Sequence, residues 1–187
     1  MTLYRTIVAD PPWQIARSMG SGGRRRRATE VPYDFMALNA IKALPVADFA
    51  EDDAHLYLWA TRKVFREGDA AAVARAWGFE PCAEVIWGLR NPGMGKRPWL
   101  NDHEPVLVAR RGTLPFAGDA PGGVQWWRQL YAGAGGKVHS AKPEAFLDAV
   151  EAWSPGPYLE LFARRQRMGW DTWGNQARND VDLEGAA

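Results

Sequence analysis

Asp10-Pro11-Pro12-Trp13 is the stretch best suited to chemistry. It follows the mostly apolar, β-branched run Leu3-Tyr4-Arg5-Thr6-Ile7-Val8-Ala9, which reads as a buried strand. Proline fixes its own φ and restricts the residue before it, so Asp10 and Pro11 are held extended. An acid at the carboxyl end of a buried strand stands where open α/β sheets place their ligands. The carboxylate and a proline carbonyl are hydrogen-bond acceptors, and Trp13 offers a face for stacking on a base. The structural alternative is a turn that closes on a core aromatic.

Three other sites carry chemical potential. Glu160 is the lone acid in Tyr158-Leu159-Glu160-Leu161-Phe162. A carboxylate in an apolar strand is costly unless it is paired; ribose hydroxyls would satisfy it, as they do in nucleotide-binding sheets, and a salt bridge to Arg164 or a neighbouring strand is the alternative. Lys142 precedes a helix, where it has no acceptor for capping and sets positive charge at the positive helix end. A residue poorly chosen for its local position hints at a site, unless Ser140 caps a slightly earlier start. Arg24, Arg25, Arg26 and Arg27 follow Gly20-Ser21-Gly22-Gly23 in a long loop, residues 14–29. Loops of this length inside compact domains are functional or disordered. Leaving directly from Trp13, this one is placed to hold phosphates.

The elements that must position these groups alternate between strand and helix. Helix is expected over residues 35–44, ended by Pro45, then strand over 54–60. Thr61 caps a helix over 62–77 that stops at Gly78. Strands follow over 84–87 and 104–110, and residues 125–130 form a short strand or helix. The helix over 143–153 buries Phe146, Leu147, Val150 and Trp153. Strands over 157–163 and 170–173 complete the chain, and residues from 180 onward read as a frayed tail.

Composition narrows the class. The 187 residues suffice for one domain with a sizeable core, and 47% hydrophobic against 24% charged residues is globular. A net charge of +1 means that any nucleic-acid surface is local. The single cysteine, Cys82, rules out an internal disulfide and a cysteine-rich zinc site, and it fits a reducing compartment. His55, His103 and His139 form no short metal motif. No leader or transmembrane-length run is evident, so a soluble, cytoplasmic protein is expected. Most of the ten tryptophans should be core. Gly133-Ala134-Gly135-Gly136-Lys137 fails as a phosphate loop because Tyr131 stands at the first glycine position and Val138 replaces the Ser/Thr.

These pieces, in this order, resemble the MT-A70 family of N6-adenine methyltransferases from Leu3 to Gln176. Asp10-Pro11-Pro12-Trp13 is similar to its catalytic DPPW motif. Pro32-Tyr33 resembles the segment flanking the target base, and Leu58-Trp59 the second core strand. Trp99-Leu100-Asn101 with Glu104 resembles the substrate-side segment. Lys142-Pro143 resembles the gate whose lysine reaches cofactor and base. Leu159-Glu160-Leu161-Phe162-Ala163-Arg164 resembles the cofactor strand, and Gly174-Asn175-Gln176 the closing cofactor contact.

The resemblance implies an α/β, Rossmann-like, mostly parallel sheet flanked by helices, with the catalytic strand first and the cofactor strand last. It implies a single methyltransferase domain over residues 1–176 and a C-terminal tail over 177–187. S-adenosyl-L-methionine is the implied cofactor, touched by Asp10, Lys142, Glu160, Phe162, Arg164, Asn175 and Gln176. The implied substrate is adenine in a polynucleotide, DNA favoured over RNA, met by Tyr33, Glu104 and Arg24 to Arg27. An adenine amine is a poor nucleophile because its lone pair is delocalised into the ring; acceptors that bind its N–H groups favour the tetrahedral nitrogen. No metal is implied, and a homodimer or a heterodimer with a related subunit is possible. Other readings are an RNA N6-adenosine methyltransferase, a silent nucleic-acid-binding scaffold subunit, and an arginine-loop binder without cofactor. The chain departs from the family at Gln166 and Arg167, where a His-Asn pair is usual, and in having nine residues before Asp10.

Overall fold

The computed structural model describes residues 2–14, 35–93, 101–118 and 142–183. Within them a six-stranded sheet runs in the order β3-β4-β2-β1-β5-β6. Its strands are β1 (Tyr4–Ala9), β2 (Ala50–Trp59), β3 (Glu80–Gly93), β4 (Asn101–Arg111), β5 (Tyr158–Leu161) and β6 (Trp170–Trp173). β1 lies between β2 and β5 and is parallel to both, and β6 is parallel to β5. β4 runs antiparallel to β2 and to β3. The sheet is therefore mostly parallel, as expected. The short last strand expected over 170–173 is β6, which lies beside β5 on the sheet edge.

Parallel central strands are buried on both faces, and the alternation of side chains assigns each face its helices. Ile7 and Ala9, Leu56 and Leu58, and Leu159 and Leu161 share a core with Ile41 of α1 (Leu38–Lys42) and Val73 and Ala74 of α3 (Asp69–Ala76). Val8, Tyr57 and Trp59 face the other way, against Phe146, Leu147, Val150 and Trp153 of α4 (Glu144–Trp153). The stripe anticipated for the last helix is the one it buries. Trp59, Trp77, Trp87, Trp153 and Trp170 are all buried.

Behind α4, polar groups are satisfied among themselves. His55 Nε2 lies 2.9 Å from the Leu114 carbonyl, which only accepts, so Nε2 carries the proton. Burial lowers the His55 pKa and keeps the ring neutral. Nδ1 then accepts from the Ser154 hydroxyl at 2.8 Å, and Ser154 Oγ accepts from the Tyr57 hydroxyl at 2.8 Å.

Several expected elements are corrected. The helix expected over 35–44 is only α1, followed by a 3-10 turn, Val46–Phe49, entered from Pro45. The helix expected over 62–77 is two: α2 (Arg62–Arg66), capped by the Thr61 hydroxyl, and α3. Gly68 separates them at φ +81°, a left-handed conformation that breaks the helical path. β3 and β4 run longer than expected because each continues along its partner from Glu80↔Arg110 to Gly93↔Asn101. Pro143, in extended conformation, occupies the cap of α4 and leaves Lys142 outside the helix.

The segment after Gln176 is not frayed over its described part. The Asp180 N–H bonds to the Thr172 carbonyl at 2.8 Å, and Leu183 is buried in the core. Residues 15–34, 94–100, 119–141 and 184–187 lie outside the described residues, and with them Tyr33, Arg24 to Arg27, Trp99, Tyr131, Ser140, the glycines of 133–136 and the element expected over 125–130. No described helix is long and apolar enough to cross a membrane.

Candidate active site

The register of three parallel strands builds the site. Ala9 pairs with Leu58 on one side and Leu161 on the other. The next residues, Asp10, Trp59 and Phe162, therefore leave the carboxyl ends of β1, β2 and β5 side by side, where open α/β sheets hold ligands. Proline ends β1 because it cannot donate to the ladder. The Trp13 N–H turns back to the Pro11 carbonyl at 2.8 Å, and the Met36 N–H bonds to the Pro12 carbonyl at 2.9 Å.

Trp13 does not present a free stacking face. It is 6% exposed, packs in the core, and donates its indole N–H to the Trp59 carbonyl at 2.9 Å. A buried tryptophan needs such a partner, and here the partner fastens the turn to β2. Trp13 is an anchor that fixes the place of Asp10.

Asp10, Lys142 and Glu104 meet although they are distant in sequence. The Lys142 ammonium is 2.7 Å from Glu104 Oε2 and 3.5 Å from Asp10 Oδ1, and it sits 4.5 Å from the centre of the Trp59 ring, a cation–π distance. Burial pushes the Asp10 carboxyl up; Lys142 opposes this and Glu104 adds to it. Burial alone would lower Lys142, but Asp10 and Glu104 outweigh it and hold the ammonium above the ordinary lysine value. Lys142 lies closer to Glu104 than to Asp10, and Arg164 adds a second positive charge that acts on Asp10. The lysine unfit for a helix start is thus turned toward the end of β1.

Glu160 lies on the same face of the sheet. Among the described residues its Oε2 is buried with no hydrogen-bond partner, as is the indole nitrogen of Trp59. Burial pushes the Glu160 carboxyl up to about 7, with the Arg165 charge opposing. Both residues line a cavity of about 270 Å³ together with Asp10, Lys142, Phe146 and Arg164. A second cavity, about 310 Å³, is lined by Asp10, Phe162, Arg164, Asn175, Gln176 and Asp182 among others. Asp10, Phe162 and Arg164 line both.

Phe162 adopts φ +63°, a costly conformation for a bulky side chain. Its ring meets Trp173 edge-on, with centroids 5.3 Å apart. Gly174 packs directly against the Ala163 backbone: a Cβ there would meet the Ala163 carbonyl oxygen at 2.4 Å. Arg165 and Arg167 join the two walls of the first cavity. Arg165 donates to the Lys142 carbonyl at 3.1 Å and pairs with Glu144 at 2.9 Å, and Arg167 reaches Asp148 at 2.6 Å and Glu151 at 3.0 Å. Arg167, at a position unusual for the family, is thus committed to α4.

The structure brings together Asp10, Pro11, Pro12, Lys142, Glu104, Glu160, Phe162, Arg164, Asn175 and Gln176. The Trp59 indole nitrogen, Arg165 and Asp182 were not anticipated. Trp59 ends an apolar strand and Asp182 follows a polar run, so neither carries a local signal; Arg165 is one of two adjacent arginines with nothing to separate their roles. Among the described residues no group of His, Cys, Asp and Glu could hold a metal ion.

The chain is similar to known methyltransferases. The chain is 31% identical over 188 residues to the type II methyltransferase M.MunI of a Mycoplasma species, covering 91% of this chain and 76% of that protein. It is 27% identical over 187 residues to the N6-methyladenosine RNA methyltransferase MTA1 of Pyricularia oryzae, and 26% identical over 195 residues to the human N(6)-adenine-specific methyltransferase METTL4. It spans 46% and 37% of the lengths of those two. The MT-A70 family profile matches residues 4–176, which include every strand and helix of the sheet just described, and the chain belongs to the MT-A70 family.

Proposed function

We propose that this chain transfers a methyl group from S-adenosyl-L-methionine to the N6 amine of adenine in a polynucleotide, DNA in preference to RNA. The observation that carries the reading is the position of the Asp10 carboxylate. It stands at the end of β1, where two cavities meet, and one cavity is lined by Glu160, whose Oε2 is buried with no hydrogen-bond partner among the described residues.

The residues present fit the cofactor. A buried acceptor on Glu160 and a buried donor on Trp59 line one cavity, and a sugar hydroxyl supplies both complements. Asn175 and Gln176 add amide groups to the other. When bound, S-adenosylmethionine supplies an electrophilic methyl group.

The chain's own residues prepare the acceptor. Asp10 accepts an N–H bond from the amine, and the Pro11 carbonyl, which has a second lone pair beyond its bond to Trp13, accepts the other. Both acceptors are fixed before the amine arrives, so they need no reorganisation as its nitrogen becomes tetrahedral. The amine takes the place beside Asp10 held by Lys142, whose ammonium stays on Glu104. Arg24 to Arg27 and Tyr33 complete the substrate side in this reading, and a cytoplasmic location accords with it.

The N(6)-adenine-specific methyltransferase METTL4 supports the adenine acceptor, and the RNA methyltransferase MTA1 supports a second reading with RNA as the substrate. The test is to incubate the protein with labelled S-adenosylmethionine and matched single-stranded DNA, duplex DNA and RNA, then to digest and identify the labelled nucleoside. N6-methyldeoxyadenosine is expected, with single-stranded DNA at least as good a substrate as duplex, since a paired base must first be extruded. Label confined to RNA would transfer the account to the second reading, and label on cytosine would overturn it.

A further inference from the structure

The segment that follows β6 is built into the site. Thr172 receives it from three directions: its N–H bonds to Asp180 Oδ2 at 3.1 Å, its carbonyl accepts the Asp180 N–H at 2.8 Å, and its hydroxyl bonds to the Arg178 carbonyl at 2.5 Å. Asn179 Oδ1 accepts the Gly174 N–H at 2.8 Å. Leu183 is 1% exposed in the core shared with β1 and β2, and Val181 packs against that core. Asp182 is therefore fixed from both sides, and it lines the second cavity with Asp10, Phe162, Asn175 and Gln176. It lies beyond residue 176, where the family match ends.

We propose that Asp182 is a cofactor-binding residue whose carboxylate accepts hydrogen bonds from the N–H or O–H groups of S-adenosylmethionine that enter the second cavity. The proposal rests on the functional reading above. A carboxylate only accepts, and this cofactor carries donors at both ends: an ammonium on its amino-acid part, and ribose hydroxyls and an exocyclic amine on its nucleoside. The Asn179 oxygen is occupied by Gly174, so its amide contributes donors. Asp182 and Arg164 give the same cavity both signs of charge, which suits a ligand carrying both. Met36, Phe162 and Trp173 provide the apolar remainder of the wall.

The experiment measures the dissociation constants of S-adenosylmethionine and S-adenosylhomocysteine by calorimetry, without nucleic acid, for the wild type, Asp182→Asn, Leu183→Ala and Glu160→Gln. Melting temperatures are recorded for each. Asp182→Asn keeps the shape of the side chain and should weaken both ligands about ten-fold or more while lowering the melting temperature less than Leu183→Ala does. Leu183→Ala should lower the melting temperature and the affinity together. If Asp182→Asn lowers the melting temperature as far as Leu183→Ala does, its role is structural and the proposal is wrong. Wild-type affinity in Asp182→Asn, with Glu160→Gln weakened, overturns the proposal and leaves the functional reading standing. Failure of the wild type to bind either ligand removes both.

Discussion

Glu160→Gln should make the unliganded protein more stable while weakening what it binds. Among the described residues Glu160 Oε2 is buried without a hydrogen-bond partner, and burial pushes its carboxyl from the ordinary value of 4.5 to about 7. Between those values the folded protein holds a proton that the unfolded chain has lost. Stability from this group is therefore fully present below pH 4.5 and is lost as pH rises through 7. At about 1.4 kcal/mol per pH unit across that interval, the loss amounts to about 3 kcal/mol above pH 7. Glutamine cannot ionise and escapes it. Urea unfolding of both proteins from pH 5 to pH 8, without cofactor, should show a stability gap that widens with pH in favour of the variant. The affinity for S-adenosylmethionine should move the other way, by about 1–3 kcal/mol, because one acceptor oxygen becomes an NH2 donor and the other accepts more weakly than a carboxylate. A gap that does not change with pH, or a variant less stable than the wild type at pH 8, would show that the Glu160 carboxyl is paired and ionised in the folded state, with no need of a ligand to satisfy it.

Trp13→Ala should lower stability by about 3–5 kcal/mol, as removal of a buried aromatic does; unchanged melting with weaker nucleic-acid binding would restore the stacking role. Gly174→Ala should cost about 1–3 kcal/mol through overpacking against Ala163 and weaken cofactor binding, and calorimetry showing wild-type affinity would contradict the close approach at that turn. Replacing Arg24 to Arg27 by serine should flatten the salt dependence of polynucleotide binding by roughly 0.7–0.9 log–log units for each phosphate that an arginine no longer neutralises. An unchanged slope would remove these arginines from the interface.

The sequence made legible the features whose cause is local. Prolines end β1, Thr61 caps α2, and a glutamate interrupts an apolar strand at a cost that only a partner removes. Lys142 was conspicuous for a local reason as well, being unsuited to the start of a helix. What stayed hidden depended on distant chain. Whether Trp13 faces a ligand or the core is decided by the Trp59 carbonyl, and nothing near residue 13 points to it. The split at Gly68 was hidden because a glycine within an apolar period is compatible with a continuous helix; its left-handed φ is what breaks the path. The docking of the segment through Leu183 had a faint signal in the alternation of Val181 and Leu183, overridden by the polar residues around them. That segment joins the site because Thr172 offers it both backbone groups and a hydroxyl.

In the proposed reaction the Asp10 carboxylate, set where the two cavities meet, orients the acceptor amine. The most direct measurement is single-turnover methyl transfer by Asp10→Asn and Asp10→Ala, with the cofactor dissociation constant of each variant determined in parallel. Loss of transfer is expected in both, with asparagine nearly as damaging as alanine because an amide accepts more weakly and brings donors of its own, while folding and most of the cofactor affinity persist. Transfer at the wild-type rate in either variant, with cofactor bound, would contradict that role of Asp10.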